Sequence, residues 1–258
     1  MHFFSPSVWL VIASFLAGTL NAVAGGGSFL SFPALLSMGL LPIHANATNT
    51  VALWPGQLTS AVAFRNELRK NARLILPVAA GAAVGGVTGA LVLLHTGQQT
   101  FSHLVPWLLL LASLLFWASA PLSAWLKRRA AAAPTAAEAA PPSRWRLFFA
   151  LAIVAIYIGY FGAGAGFLIM SAVGLFGVTD LHEINALKVV GAAVANGVAA
   201  ITFIVRGAVE WRYCLVAMAL AALGGYLGAR LSRRIQGPAL RVAIIGLGLA
   251  MSAYFFVR

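Results

Sequence analysis

Acidic side chains are almost missing from this chain. Five Asp and Glu stand against 17 Lys and Arg, and charged residues of both signs fill only 9% of its 258 positions. No group of His, Cys, Asp and Glu has metal-site spacing, and no pair of carboxylates falls within one apolar run. Metal-assisted and paired-carboxylate catalysis therefore have nothing to stand on. Cysteine occurs once, at Cys214. One thiol makes neither an internal disulfide nor a metal site, and inside an apolar run it reads as a small packed side chain. No nucleotide-binding motif is present, so vectorial work would draw on an ion gradient or on the substrate's own gradient. Lys and Arg are also missing ahead of the first apolar run, in MHFFSPSVW. A signal peptide starts positively charged, so this run reads as a retained first span. Period-two alternation is absent, which excludes a membrane β-barrel.

Apolar residues fill the space these absences leave. They make up 61% of the chain, with a mean hydropathy of +0.93. No soluble fold of this size hides so much apolar surface, so the chain reads as an all-α polytopic membrane protein. The net charge of +12 does not mark a nucleic-acid binder, because the basic residues fall in loops between apolar runs.

Ten runs are predicted, at 8–23, 29–41, 46–64, 74–95, 103–126, 145–161, 167–178, 185–205, 211–231 and 239–257. Residues 127–144, KRRAAAAPTAAEAAPPSR, read as a flexible cytoplasmic linker. The chain thus divides into a first transmembrane repeat at 1–126 and a second at 145–258. The second and seventh runs are short of the ~20 residues a crossing needs, and read as broken or re-entrant helices.

The halves repeat each other. Phe29-Leu30 aligns with Phe167-Leu168, Gly39 with Gly177 and His44 with His182. After a one-residue slip, Asn46-Ala47 aligns with Asn185-Ala186, Asn49 with Lys188, and Gly85-Gly86 and Gly89 with Gly224-Gly225 and Gly228. Such self-similarity is the mark of a duplicated unit. Basic clusters at Arg65–Arg73, 127–146 and 230–241, with the loop 97–102 free of Lys and Arg, place matching loops on opposite sides. That favours an inverted repeat with an odd number of crossings per half. Re-entrant short segments would instead give four crossings and parallel repeats.

Several residues are candidates for a site. Gly25, Gly26 and Gly27 precede the second run, and Gly164 and Gly166 precede the seventh. A glycine cluster lets a helix break and restart, and the restarted end aims free N–H groups and the positive dipole end inward. A plain tight turn is the alternative. Gly85, Gly89, Gly224 and Gly228 read as helix packing. Asn46 and Asn49 open the third run, and Asn185 and Lys188 the eighth. Helix capping is the alternative for Asn46 and Asn185. Lys188 is costly at such a depth and reads as an anion-binding ammonium. Snorkelling, or pairing with Glu183, is its alternative. Gln57 aligns with Asn196; interhelical hydrogen bonding and substrate donation both fit these amides. His44 and His182 raise proton coupling.

These residues resemble the TauE/SafE family of membrane transporters, the sulfite or sulfonate exporter-like family. The resemblance rests on AGGGSFLSFPALL, NATNTVALWPGQLTSAVAFRNEL, GAGAGFLIM, NALKVVGAAVANGVAA and GGYLGARLSRRI, which together span nearly the whole chain outside the linker. It implies a secondary transporter in the inner membrane that moves a small anion, such as an organosulfonate, sulfite or a related sulfur oxyanion, by alternating access. A channel-like anion facilitator and a membrane subunit of a larger complex are the alternatives. The expected partners are that anion and the lipid bilayer, with a coupling proton or cation and homo-oligomerisation left open. No nucleic acid, cofactor, metal or catalytic residue is expected.

Overall fold

The computed structural model of the chain describes residues 5–23, 26–63, 72–132, 143–176, 178, 180–235 and 238–257. The described residues form ten α-helices: α1 Pro6–Val23, α2 Ser28–Ser37, α3 Pro42–Ala63, α4 Ala72–His95, α5 Gln98–Ala132, α6 Arg144–Tyr160, α7 Ala165–Leu175, α8 Leu181–Val205, α9 Trp211–Ile235 and α10 Pro238–Val257. Four stretches are long and apolar enough to cross a bilayer: Arg73–His95, Gln98–Ala118, His182–Val205 and Trp211–Gly228. The helices α2 and α7 are only about 15 and 16 Å long, half a hydrocarbon core.

Three boundaries differ from the sequence expectation, each for a local reason. Helix α3 starts at Pro42, four residues before Asn46; proline suits a first helical turn because its missing N–H has no partner there anyway. Helix α8 starts at Leu181 because the Asp180 carboxylate accepts from the His182 and Glu183 amides, at 2.7 and 3.2 Å. Asn46 and Asn185 therefore sit inside their helices, not at the caps. Helix α5 runs on to Ala132, into the stretch read as a flexible linker; its Lys, Arg and Ala residues are strong helix formers.

Apolar and polar residues are distributed as a bilayer solvent dictates. Large apolar side chains face outward, among them Ile153 and Leu76, 70% and 75% exposed. Ser31, Asn46, Thr48 and Asn49 are buried inside, where hydrogen-bond partners are available.

Glycines set the closest helix pairs. A Cβ on Gly81, Gly85 or Gly89 would fall within 2.0–2.3 Å of the carbonyl oxygens of Phe148, Ala152 and Ile156. Both series advance four residues at a time, so α4 and α6 run parallel in one register. Likewise, Gly224 and Gly228 meet Phe15 and Thr19, so α1 and α9 run parallel. Two other pairs are antiparallel. Thr48 of α3 meets Glu210, beyond the end of α8, while Trp54 further on meets Ala193. Ser113 of α5 meets Gly248, whereas Pro106 and Trp107 meet Ser252 and Phe256 of α10.

Candidate functional site

Two helix breaks lie at the heart of the bundle. At the first, Gly26 takes φ 94°, a left-handed conformation that costs other residues about 1–2 kcal/mol. Gly27 follows as the N-cap of α2. Its amide donates to Asn21 Oδ1 at 3.2 Å, and a Cβ there would stand 2.3 Å from the Ala17 carbonyl oxygen. Gly25 lies outside the described residues. At the second break, Gly162 and Gly164 take φ 78° and 77°, and α7 restarts at Ala165. The Tyr157 hydroxyl donates to the Ala163 carbonyl at 2.9 Å and pins this turn.

Around the first break the polar groups close on one another. Asn49 Nδ2 donates to Ser28 Oγ at 3.1 Å. The Ser31 hydroxyl lies within hydrogen-bonding distance of both the Gly27 carbonyl and the Asn49 side-chain oxygen. Asn49 thus lies on the first turn of α2, held by two serines.

Around the second break a cation takes the matching place. The Lys188 stem crosses the first turn of α7, with Cδ 3.6 Å from where a Gly166 Cβ would stand. Its Nζ donates to Asn185 Oδ1 at 3.0 Å, one turn back on the same helix. The partner is this neutral amide, not Glu183. A serine or larger residue at Gly166 would stand beside the lysine stem; glycine leaves that side free.

The breaks are tied across the halves. Asn46 Nδ2 donates to the Tyr160 carbonyl at the end of α6, at 3.0 Å. The Asn196 side-chain oxygen lies 3.3 Å from the position of a Gly162 Cβ, while its Nδ2 donates to Ala192 within its own helix. The rings of Phe32 and Phe161 meet edge to face with centroids 5.7 Å apart. Helices α3 and α8 therefore both grip the second break.

Gln57 is not gathered with these groups. It lies eight residues beyond Asn49, about 12 Å along α3, and its Oε1 is enclosed without a partner among the described residues. His44, at the start of α3, pairs with the half-exposed Glu210 at 3.6 Å, and His182 is exposed at the start of α8. Sequence reasoning missed Asn21, Ser28 and Ser31. Their signal is their spacing: Ser28 and Ser31 are three apart, so they share a helix face.

Known proteins place the chain. The family described as sulfite exporter TauE/SafE matches residues 10–255. The chain belongs to that family. Several relatives of this TauE/SafE protein are named transporters rather than enzymes. The probable membrane transporter protein ORF9 of a Sinorhizobium species is 28% identical over 258 aligned residues, which cover 95% of this chain and 92% of that protein. The probable membrane transporter protein YfcA of Escherichia coli K12 is 28% identical over 249 residues, 95% and 87% of the two chains. A probable membrane transporter protein of Haemophilus influenzae is 25% identical over 248 residues, 95% and 92% of the two. No solved structure matches significantly. This TauE/SafE chain is thus a multi-pass membrane transporter.

Proposed function

We propose that this TauE/SafE protein is a secondary transporter of a small anion of the sulfonate, sulfite or related sulfur-oxyanion class, acting in the inner membrane. Lys188 carries the proposal. It places an ammonium inside an apolar helix, where a charge costs a few kcal/mol, against a neutral amide and the glycine-opened first turn of α7. The Ala165 and Phe167 amides of that turn bond the Gly162 and Gly164 carbonyls, and the positive end of the helix dipole there adds to the attraction for a negative charge. The name of the matched family, which mentions sulfite export, points to the same class. Gly164, Gly166, Asn185 and Lys188 form its charged wall, and Gly26, Gly27, Asn46 and Asn49 its neutral one.

The helix pairings support two inverted halves, 1–126 and 145–258, joined by the segment 127–144. Exchanging α1–α5 with α6–α10 carries the α4/α6 pair onto α9/α1, both parallel. The same exchange carries α3/α8 and α5/α10 onto themselves. A helix exchanged with its partner by an axis in the membrane plane must run antiparallel to it, and α3/α8 and α5/α10 do so. Rocking of such halves about a shared site is the general route to alternating access.

The test is a thermal-shift screen of the detergent-purified protein against sulfite, thiosulfate, sulfoacetate, taurine, sulfate and small carboxylates. A ligand at 100 times its Kd stabilises by about 2.7 kcal/mol. Stabilisation by a sulfur oxyanion that Lys188→Met abolishes is the expected result. Stabilisation by carboxylates alone would overturn the substrate class, and an unchanged response in Lys188→Met would overturn the site. In vesicles, substrate counterflow is expected; its absence, with non-saturating flux, would indicate a channel-like facilitator.

A further inference from the structure

The parallel register of α4 and α6 brings three arginines to one end of the bundle. Gly81, Gly85 and Gly89 meet Phe148, Ala152 and Ile156, a constant offset of 67 residues. Arg73 on α4 is therefore level with position 140, about 6 Å beyond Arg144 and about 9 Å beyond Arg146 along the helix pair. The polar headgroup layer of one leaflet is about 5–8 Å deep, so the three guanidiniums span its thickness. All three are exposed. Among the described residues none of the three has a carboxylate within ion-pair distance.

Directly below them α6 offers an apolar stripe. Trp145, Phe149 and Ile153 recur every four residues and are 72%, 59% and 70% exposed. The Trp145 and Phe149 rings stack with centroids 6.3 Å apart. Trp145 lies between Arg144 and Arg146 in sequence, at the depth where aromatic rings anchor to headgroups. Guanidiniums at headgroup depth above an apolar stripe match a phosphate ester above acyl chains. We propose that the α4/α6 end is a binding site for an anionic diacyl phospholipid, its phosphate held by Arg73 and Arg144 and an acyl chain lying along Trp145, Phe149 and Ile153, with Arg146, on the other side of α6, adding to the positive field at headgroup depth.

The other end of the bundle supplies the contrast. Arg212 stands at the start of α9, next to Glu210, which pairs with His44 at the start of α3. The 22 residues of α3 separate that end from Arg73 by about 33 Å. Arg212 lies over the Tyr213 ring at 5.7 Å, and it shares that end with Arg206, at the C-cap of α8, and with the carboxylate of Glu210.

The test compares melting temperatures of the full-length, delipidated protein in neutral detergent with added phosphatidylglycerol, phosphatidylcholine or inorganic phosphate. Phosphatidylglycerol is expected to raise the melting temperature by several degrees over phosphatidylcholine, in the wild type and in Arg212→Gln. The increment is expected to vanish in the triple variant Arg73→Gln, Arg144→Gln, Arg146→Gln. Should the triple variant fail to melt cooperatively, the single variants Arg144→Gln and Arg146→Gln are each expected to lose part of the increment. The proposal is overturned if the two lipids stabilise equally, if inorganic phosphate alone reproduces the effect, or if neither the triple nor the single variants reduce it.

Discussion

Asn49 and Lys188 occupy matching places on matching helices, yet they behave as opposites. Each lies on the first turn of a short helix that restarts after a glycine break. Asn49 meets Ser28 and Ser31 there, and its polar atoms are satisfied by neutral groups. Lys188 meets Gly166 and crosses the turn with the Asn185 amide as its ammonium's hydrogen-bond partner among the described residues. A closed neutral network rigidifies, whereas a cation with a neutral partner still favours a counter-charge. On the proposed reading, matching turns serve structure in one half and anion recognition in the other.

Where the halves are alike, equivalent substitutions should do equal damage. A Cβ at Gly85 would lie 2.1 Å from the Ala152 carbonyl oxygen, and one at Gly224 1.9 Å from that of Phe15. Backbone cannot yield as a side chain tip does. Gly85→Ala and Gly224→Ala are each expected to cost about 3 kcal/mol, the upper end of overpacking, and to abolish a monodisperse peak in size-exclusion chromatography. Gly56→Ala, whose Cβ would meet nothing within 4 Å, is the control and should behave as wild type. A well-folded Gly224→Ala beside an unfolded Gly85→Ala would break the equivalence of the halves.

Where the halves differ, equivalent substitutions should part ways. Lys188→Met is expected to weaken anion binding by about 2–5 kcal/mol, as loss of one member of a buried charge pair does, with folding intact. Asn49→Ala removes the donor to Ser28, while Ser31 keeps the Gly27 carbonyl, and is expected to cost about 1 kcal/mol of stability, with a smaller change in anion affinity. Isothermal titration and thermal melts on the two variants read both quantities. Matching losses of affinity would mean that the turns share one chemistry after all.

Much of this frame was legible in the sequence. The offset that lays Asn49 over Lys188 also lays Gly85 and Gly89 over Gly224 and Gly228, and those glycines do meet neighbouring backbone. Glycine clusters and a lone lysine in an apolar run stand out because each is costly there without a reason. What was not legible depends on which helix faces which. The bond from Asn46 to the Tyr160 carbonyl joins residues 114 apart in the chain, and no local pattern announces it. The caps were misplaced because Asn46 looks like an N-cap, while Pro42 and Asp180 start the helices. Gln57 aligned with Asn196, but alignment says nothing of the partner its oxygen finds.

Within the second break, Gly164 and Gly166 separate conformation from space. Gly164 has φ 77°, so Gly164→Ala is expected to cost about 1–2 kcal/mol. Gly166 is helical, and an added Cβ would make an ordinary 3.6 Å contact with the Lys188 stem. Gly166→Ala should therefore hold or raise stability, by up to about 1 kcal/mol, while crowding the ammonium and lowering anion affinity. If Gly166→Ala binds as wild type, the opening beside Lys188 has no part in recognition.

The smallest effect is expected at Gln57, and it tests how far the neutral wall extends along α3. Its Oε1 is enclosed without a partner among the described residues. Replacing an unsatisfied buried polar group by an apolar one of similar shape is close to neutral. Gln57→Met should thus shift the melting temperature hardly at all, and leave anion affinity unchanged if recognition stays at the helix breaks. A clear loss of affinity in Gln57→Met, with stability unchanged, would give that oxygen and its amide a ligand to serve. It would also draw the site about 12 Å along α3, making the neutral half a partner in recognition rather than a scaffold for it.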